Sequence, residues 1–128
     1  MPMTIERANV LYKKLLRQYG MKEGWFDEDC HIKNARLNVG GWDFEIIRFN
    51  LMESCDESSL YVFTKFIPLK SSKDFTGWTN TAENVSSEEE AHKLIDNIIK
   101  QLKDGYIKHK KEWIEGDFNE YQCCSKSN

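Results

Sequence analysis

Proline is scarce in this 128-residue chain, with two residues in all, and glycine is held to seven. Collagen-like and low-complexity architectures are excluded on that ground alone. No stretch approaches the roughly 20 consecutive apolar residues that a membrane helix needs. The N-terminus, Met1-Pro2-Met3-Thr4-Ile5-Glu6-Arg7, lacks the apolar core of an export signal, so the cytoplasm is the expected compartment and no membrane partner is expected. Neither charge sign dominates. Eighteen Lys and Arg stand against 21 Asp and Glu, a formal charge of −3, so the chain as a whole is neither a polycation nor a confident mimic of a phosphate backbone.

The catalytic and metal signatures are missing as well. There is no G-x-S-x-G, no phosphate-cradling glycine loop, no H-E-x-x-H and no dinucleotide fingerprint. The four cysteines, at 30, 55, 123 and 124, include no C-x-x-C pair, and adjacent cysteines bridge each other only with strain, so free thiols are expected. Cys30-His31 joins a metal site with Cys123 and Cys124 only if the tail folds back. Cys55 sits among Glu53, Asp56 and Glu57, where neighbouring carboxylates raise a thiol pKa and weaken the nucleophile. Glu89-x-x-His92 has the spacing of a di-metal helix motif without its second copy, which makes His92 a solvated histidine. Asp43 and Glu45 alternate with apolar residues and read as a wet sheet face. No cofactor and no metal are expected.

What is present is patterning. Thr4 suits an N-cap, Ile5, Ala8, Leu11, Tyr12, Leu15, Leu16 and Tyr19 recur at helical spacing, and Gly20 suits the cap beyond, which predicts a helix over 4–19. Residues 21–29, with Gly24, Trp25 and the acidic run Asp27-Glu28-Asp29, read as a loop. From residue 32 the period becomes two. Ala35, Leu37 and Val39 share one face, Gly40-Gly41 is a hairpin turn, and Trp42, Phe44 and Ile46 begin the return. The apolar phase then flips to Ile47, Phe49 and Leu51, which requires an extra residue and predicts a β-bulge near 46–47. Residues 53–59 read as a turn. Leu60 to Ile67 is apolar on both faces and reads as a covered strand ended by Pro68, while 75–81 reads either as a short fourth strand or as loop.

Ser87-x-x-Glu90 is a capping box, reinforced by Glu88 and Glu89 at the positive end of the helix dipole. Ala91, Leu94, Ile95, Ile98, Ile99, Leu102 and Tyr106 follow on one stripe, so the helix extends toward 115, with a kink or split expected at Asp104-Gly105. Residues 117–128 read as a polar tail, leaving an ordered core of about 4–115. The expected fold is one small α+β domain: an N-terminal helix, an antiparallel meander of three or four strands, and a long C-terminal helix packed on the sheet. The element order resembles that of double-stranded-RNA-binding domains. Those open their second helix with phosphate-docking lysines, where this chain has Glu88-Glu89-Glu90, so the resemblance stops at the element order and implies no function here.

Two features point to binding. Lys93, Lys100, Lys103 and Lys110 fall on one stripe of the C-terminal helix, and 100–111 carries five lysines against Asp104, a local charge of +4. These are the candidate phosphate contacts. Trp25 and Trp78 stand beside glycines in expected loops, where an exposed tryptophan anchors a partner. With the acidic turns (Asp27, Glu28 and Asp29; Glu53, Asp56 and Glu57), they make up the candidate partner-binding set. The expected function is a non-enzymatic protein-binding module of inhibitor, immunity-protein or chaperone type. Nucleic-acid binding through the lysine stripe is the first alternative, and an enzyme with an unrecognised site the second.

Overall fold

The computed structural model describes residues 4–29, 31–51, 60–69 and 73–127, the side chains of 114–127 excepted. The element order is α1 (Ile5–Tyr19), β1 (Lys22–Asp27), β2 (Ile32–Val39), β3 (Trp42–Asn50), β4 (Leu60–Pro68), β5 (Gly77–Asn84) and α2 (Glu88–Ser127). The strands form one antiparallel meander in the order β1-β2-β3-β4-β5.

Helix α1 is capped at both ends by the residues its sequence offers. The Arg7 N–H donates to Thr4 Oγ1 at 3.2 Å, and Gly20 adopts a left-handed φ of 65° while Met21 N–H returns to the Leu16 carbonyl. The β2–β3 hairpin turns on Gly40 and Gly41, with φ of 63° and 86°, the type I′ geometry whose twist matches the strands. The bulge lies where the phase flip requires it. Ala35 pairs with Ile47 and Arg36 with Glu45, which leaves Ile46 as the extra residue. Ile46 and Ile47 are both fully buried, so two successive residues serve one core.

Both helices contribute to the core on one face of the sheet. Ala8, Leu11, Tyr12 and Leu15 of α1, and Ala91, Ile95, Ile98 and Leu102 of α2, meet Ala35, Val39, Phe44, Ile46, Ile47, Phe49, Leu60 and Val62. At one end the core becomes aromatic. Phe44, Phe66 and Phe75 form a triangle with centroids 5.3–5.4 Å apart, and Tyr106, His109 and Trp113 continue it along α2.

Three expectations need correction. Residues 22–27 form strand β1, not a loop. The strand has no apolar alternation because it lies at the sheet edge, where backbone pairing to β2 defines it. The meander therefore has five strands, and the last runs over Gly77–Asn84 instead of 75–81, with Phe75 placed ahead of it in the core. Helix α2 passes through Gly105 without a break, and its backbone is helical to Ser127. Gly105 answers to packing, since a Cβ there would stand 2.8 Å from the Phe66 ring. The absent side chain lets the aromatic triangle press against the helix.

Strand β4 solves a further problem through α2. It pairs with β3 only from Leu60 to Val62. Beyond that, the Gln101 side chain stands in for a neighbouring strand. Its Oε1 accepts from Phe66 N–H at 3.0 Å and its Nε2 donates to the Thr64 carbonyl at 2.7 Å. The sheet and the helix are thus joined by backbone satisfaction as well as by apolar burial.

Candidate functional site

The second face of the sheet carries the site. Register places Asn34, Arg48 and Tyr61 in one row across β2, β3 and β4, with Arg36 and Glu45 in the next. Among the described residues no helix packs on this face. Arg48 is its centre. Its guanidinium makes a bidentate bond to Glu45 (Nε to Oε2, 2.6 Å; Nη2 to Oε1, 3.0 Å), the planar fork geometry that holds both groups rigid. The same guanidinium lies 3.6 Å from the Phe26 ring centroid and 5.1 Å from that of Phe63. Cation–π attraction on two rings fixes it further. Phe63 is 5% exposed and Phe26 48%, so the stack has a buried base and an open top.

Trp78 enters from the neighbouring edge. Thr79 Oγ1 donates to the Glu45 carbonyl, which draws the start of β5 toward β3. A shallow hollow of about 280 Å³ results, lined by Asp43, Glu45, Arg48 and Trp78 among others, and Trp78 is 51% exposed beside it. Glu45 is no freely solvated sheet residue as its alternation suggested. Arg48 and Asn34 both reach its carboxylate.

The structure separates the two expected anchors. Trp25 lies on β1 and Trp78 on β5, the two edges of the sheet, and neither is in a loop. Trp25 is 47% exposed, and the Lys33 ammonium covers its ring at 5.1 Å. Asp27 ends β1, and Glu28 and Asp29 are exposed in the turn after it, on the Trp25 side of the molecule. Glu53, Asp56 and Glu57, with Cys55 and Cys30, lie outside the described residues.

The lysines of α2 occupy a different surface. Lys93, Lys100, Lys103 and Lys110 are all exposed, and none forms an ion pair among the described residues. Lys100 and Lys103 border a groove of about 580 Å³ floored by Leu37, Val39 and Ile99, with Asp96 and Asp104 interleaved. The local field there is mixed in sign.

His92 is not simply solvated. Its Nδ1 is 2.8 Å from the Tyr19 hydroxyl, and that hydroxyl donates to Asp96 Oδ1 at 2.8 Å. One hydroxyl proton cannot serve both, so the Nδ1–H donates to Tyr19. Burial, and then Asp96, pushes the Tyr19 hydroxyl up to about 12. On the neighbouring turn Lys14 pairs with Glu88 and holds its carboxyl below the usual range. These contacts clasp α1 to α2.

Comparison with protein-family models, with curated proteins and with solved structures finds no match. The site therefore has to be read on its own chemistry. Among the described residues no three His, Cys, Asp or Glu side chains are grouped to hold a metal. No helix there is long and apolar enough to cross a membrane.

Sequence reasoning missed Phe26, Arg48 and Phe63. The available signal was Arg48 itself, a charge inside the run Ile46-Ile47-Arg48-Phe49, which has to point away from the core and find a carboxylate. Phe26 was hidden with β1. Two successive aromatics, Trp25-Phe26, are more typical of a strand than of a loop.

Proposed function

We propose that this chain is a non-enzymatic protein-binding module, of the inhibitor, immunity-protein or chaperone type, and that it engages its partner with the helix-free face of the sheet. One observation carries the reading. Half-exposed Phe26 and Trp78 flank an arginine already immobilised by Glu45 and two rings. Tryptophan, tyrosine and arginine dominate the energetics of protein interfaces, and a side chain locked before binding loses little entropy on docking. Tyr61 lies in the same row as Arg48 and extends the set. The cytoplasm is the compartment in which we place this activity.

The test is affinity capture from the native host with three baits: the unaltered chain, the Phe26→Ala/Trp78→Ala variant and a Trp25→Ala variant. A partner retained by the first and third and lost by the second supports the assignment. Equal recovery with all three sinks it. Replacement of Trp25 also tests whether the acidic turn at Asp27, Glu28 and Asp29 belongs to a second contact.

A nucleic-acid reading has one specific support, the exposure of Lys93, Lys100, Lys103 and Lys110 on α2 with no ion pair to them among the described residues. It requires binding that weakens steeply with salt and with Lys100→Glu/Lys103→Glu. Binding indifferent to both changes leaves the stripe as the wet face of the helix.

A further inference from the structure

Arg36, on the helix-free face of the sheet, has no counter-ion. Register sets it between Lys22 on β1 and Glu45 on β3. Glu45 is the carboxylate within the row, but Arg48 takes both of its oxygens and Asn34 reaches Oε2 as well. Lys22, directly opposite on the other side, repels. Among the described residues neither Lys22 nor Arg36 forms an ion pair. Arg36 is half-buried, and its Nε is buried with no acceptor.

Gly24 makes room for this arrangement. A Cβ there would stand 3.0 Å from Arg36 Nη2 and 3.3 Å from Asn34 Oδ1, so the guanidinium lies across β1 over the glycine. Asn34 is 9% exposed, and its Oδ1 accepts no hydrogen bond. Like charges directly opposite in a strand pair destabilise it, and a partly buried guanidinium without an anion adds to that cost. Folding gives no reason to keep the two cations together; a ligand that brings the missing charge does.

The donors define that ligand. A guanidinium fork with an ammonium beside it matches an oxyanion. Phosphate sites add backbone N–H groups or a helix N-terminus. Neither is present here, since β2 is paired on both sides and no helix packs on this face among the described residues. Two side-chain cations without backbone donors suit carboxylates. We infer that Lys22 and Arg36 form a carboxylate-binding subsite, and that the partner lays an acidic segment across it, beside the aromatic contact at Phe26. The inference rests on the protein-binding reading of this face and adds to it the charge of the partner.

Hexaglutamate tests the subsite without the partner. Titrated at low salt into the full chain labelled with nitrogen-15, it shifts the Arg36 Nε–H and Gly24 amide resonances together and saturably. Followed at the Gly24 amide, Arg36→Met weakens binding by about tenfold or more. Lys22→Ala, a change at an exposed position, weakens it by about two- to fivefold. The thermal midpoint of Arg36→Met does not fall, because the guanidinium makes no ion pair to lose. Inorganic phosphate at equal ionic strength moves both resonances less. No shift at Arg36, or shifts confined to Lys100 and Lys103 on α2, overturns the assignment. So does tighter binding of phosphate than of the peptide, or a lowered midpoint in Arg36→Met, which gives the guanidinium a structural role. These outcomes bear on the subsite alone, and capture with the Phe26→Ala/Trp78→Ala bait decides the underlying reading separately.

Discussion

Replacing Gln101 with leucine removes both hydrogen bonds that complete β4 while keeping the volume of the side chain. The amide donates to the Thr64 carbonyl and accepts from the Phe66 N–H, at 2.7 and 3.0 Å. Both groups sit in a part-buried zone where β4, paired with β5 along its other edge, has left β3. An unsatisfied buried backbone group costs about 1–3 kcal/mol. Partial access to water halves that, and the leucine methyls recover some apolar burial. The expected net loss is about 1–2.5 kcal/mol for the pair of groups. Urea titration followed by tryptophan fluorescence measures it as a lower midpoint at unchanged slope. In a chain of this length the thermal midpoint falls by roughly 5–10 °C. Gln101→Glu tests the geometry separately, since a carboxylate still accepts from Phe66 but faces the Thr64 carbonyl with no proton to offer. It should be no better than leucine. A Gln101→Leu protein within about 0.5 kcal/mol of the parent, the usual range for ordinary surface changes, would refute the claim that this side chain acts as a strand.

Gly105→Ala reverses the sign that helix propensity predicts. Alanine favours a helix by about 1 kcal/mol, but the new Cβ stands 2.8 Å from a Phe66 ring held by Phe44 and Phe75, so the melt should move down by an amount equivalent to about 1 kcal/mol. An upward shift means that the ring yields freely. The clasp between the helices gives stability an alkaline limit. Because the Tyr19 hydroxyl is raised from 10.0 to about 12 in the folded chain, its contribution is complete below the unfolded value and is lost as the pH rises from about 10 toward 12. The urea midpoint of Tyr19→Phe should fall less over that interval than the parent's, and equal slopes remove Tyr19 as the cause. Arg48→Lys breaks the bidentate fork to Glu45 and the flat stack on Phe26. We expect partner affinity to fall about tenfold, read by titration calorimetry, with the thermal midpoint lowered only slightly.

Local chemistry that stands in one stretch of chain was legible in the sequence. Thr4 and Gly20 bound α1 because capping depends on neighbours within four residues. The bulge at Ile46 was readable because a phase flip in a period-two pattern has one mechanical solution. What stayed hidden depends on partners far along the chain. Strand β1 has no apolar rhythm, and β2 supplies its identity. Gly105 looks like a helix break until Phe66, from a strand 39 residues earlier, is brought against it. The exposure of Trp25 and Trp78 was legible, but not that the topology sends β1 and β5 to opposite edges and so separates them. Arg48 was visible only as an anomaly, because the rings that hold it come from β1 and β4.

Site-specific photo-crosslinking in the native host tests the central claim most directly, with the photoreactive residue placed at position 78 in one strain and at position 100 in another. The account predicts a discrete protein adduct from position 78, on the helix-free sheet face, and none from position 100. An adduct to protein or nucleic acid from position 100 alone, with position 78 silent, would contradict it and move the binding surface to α2.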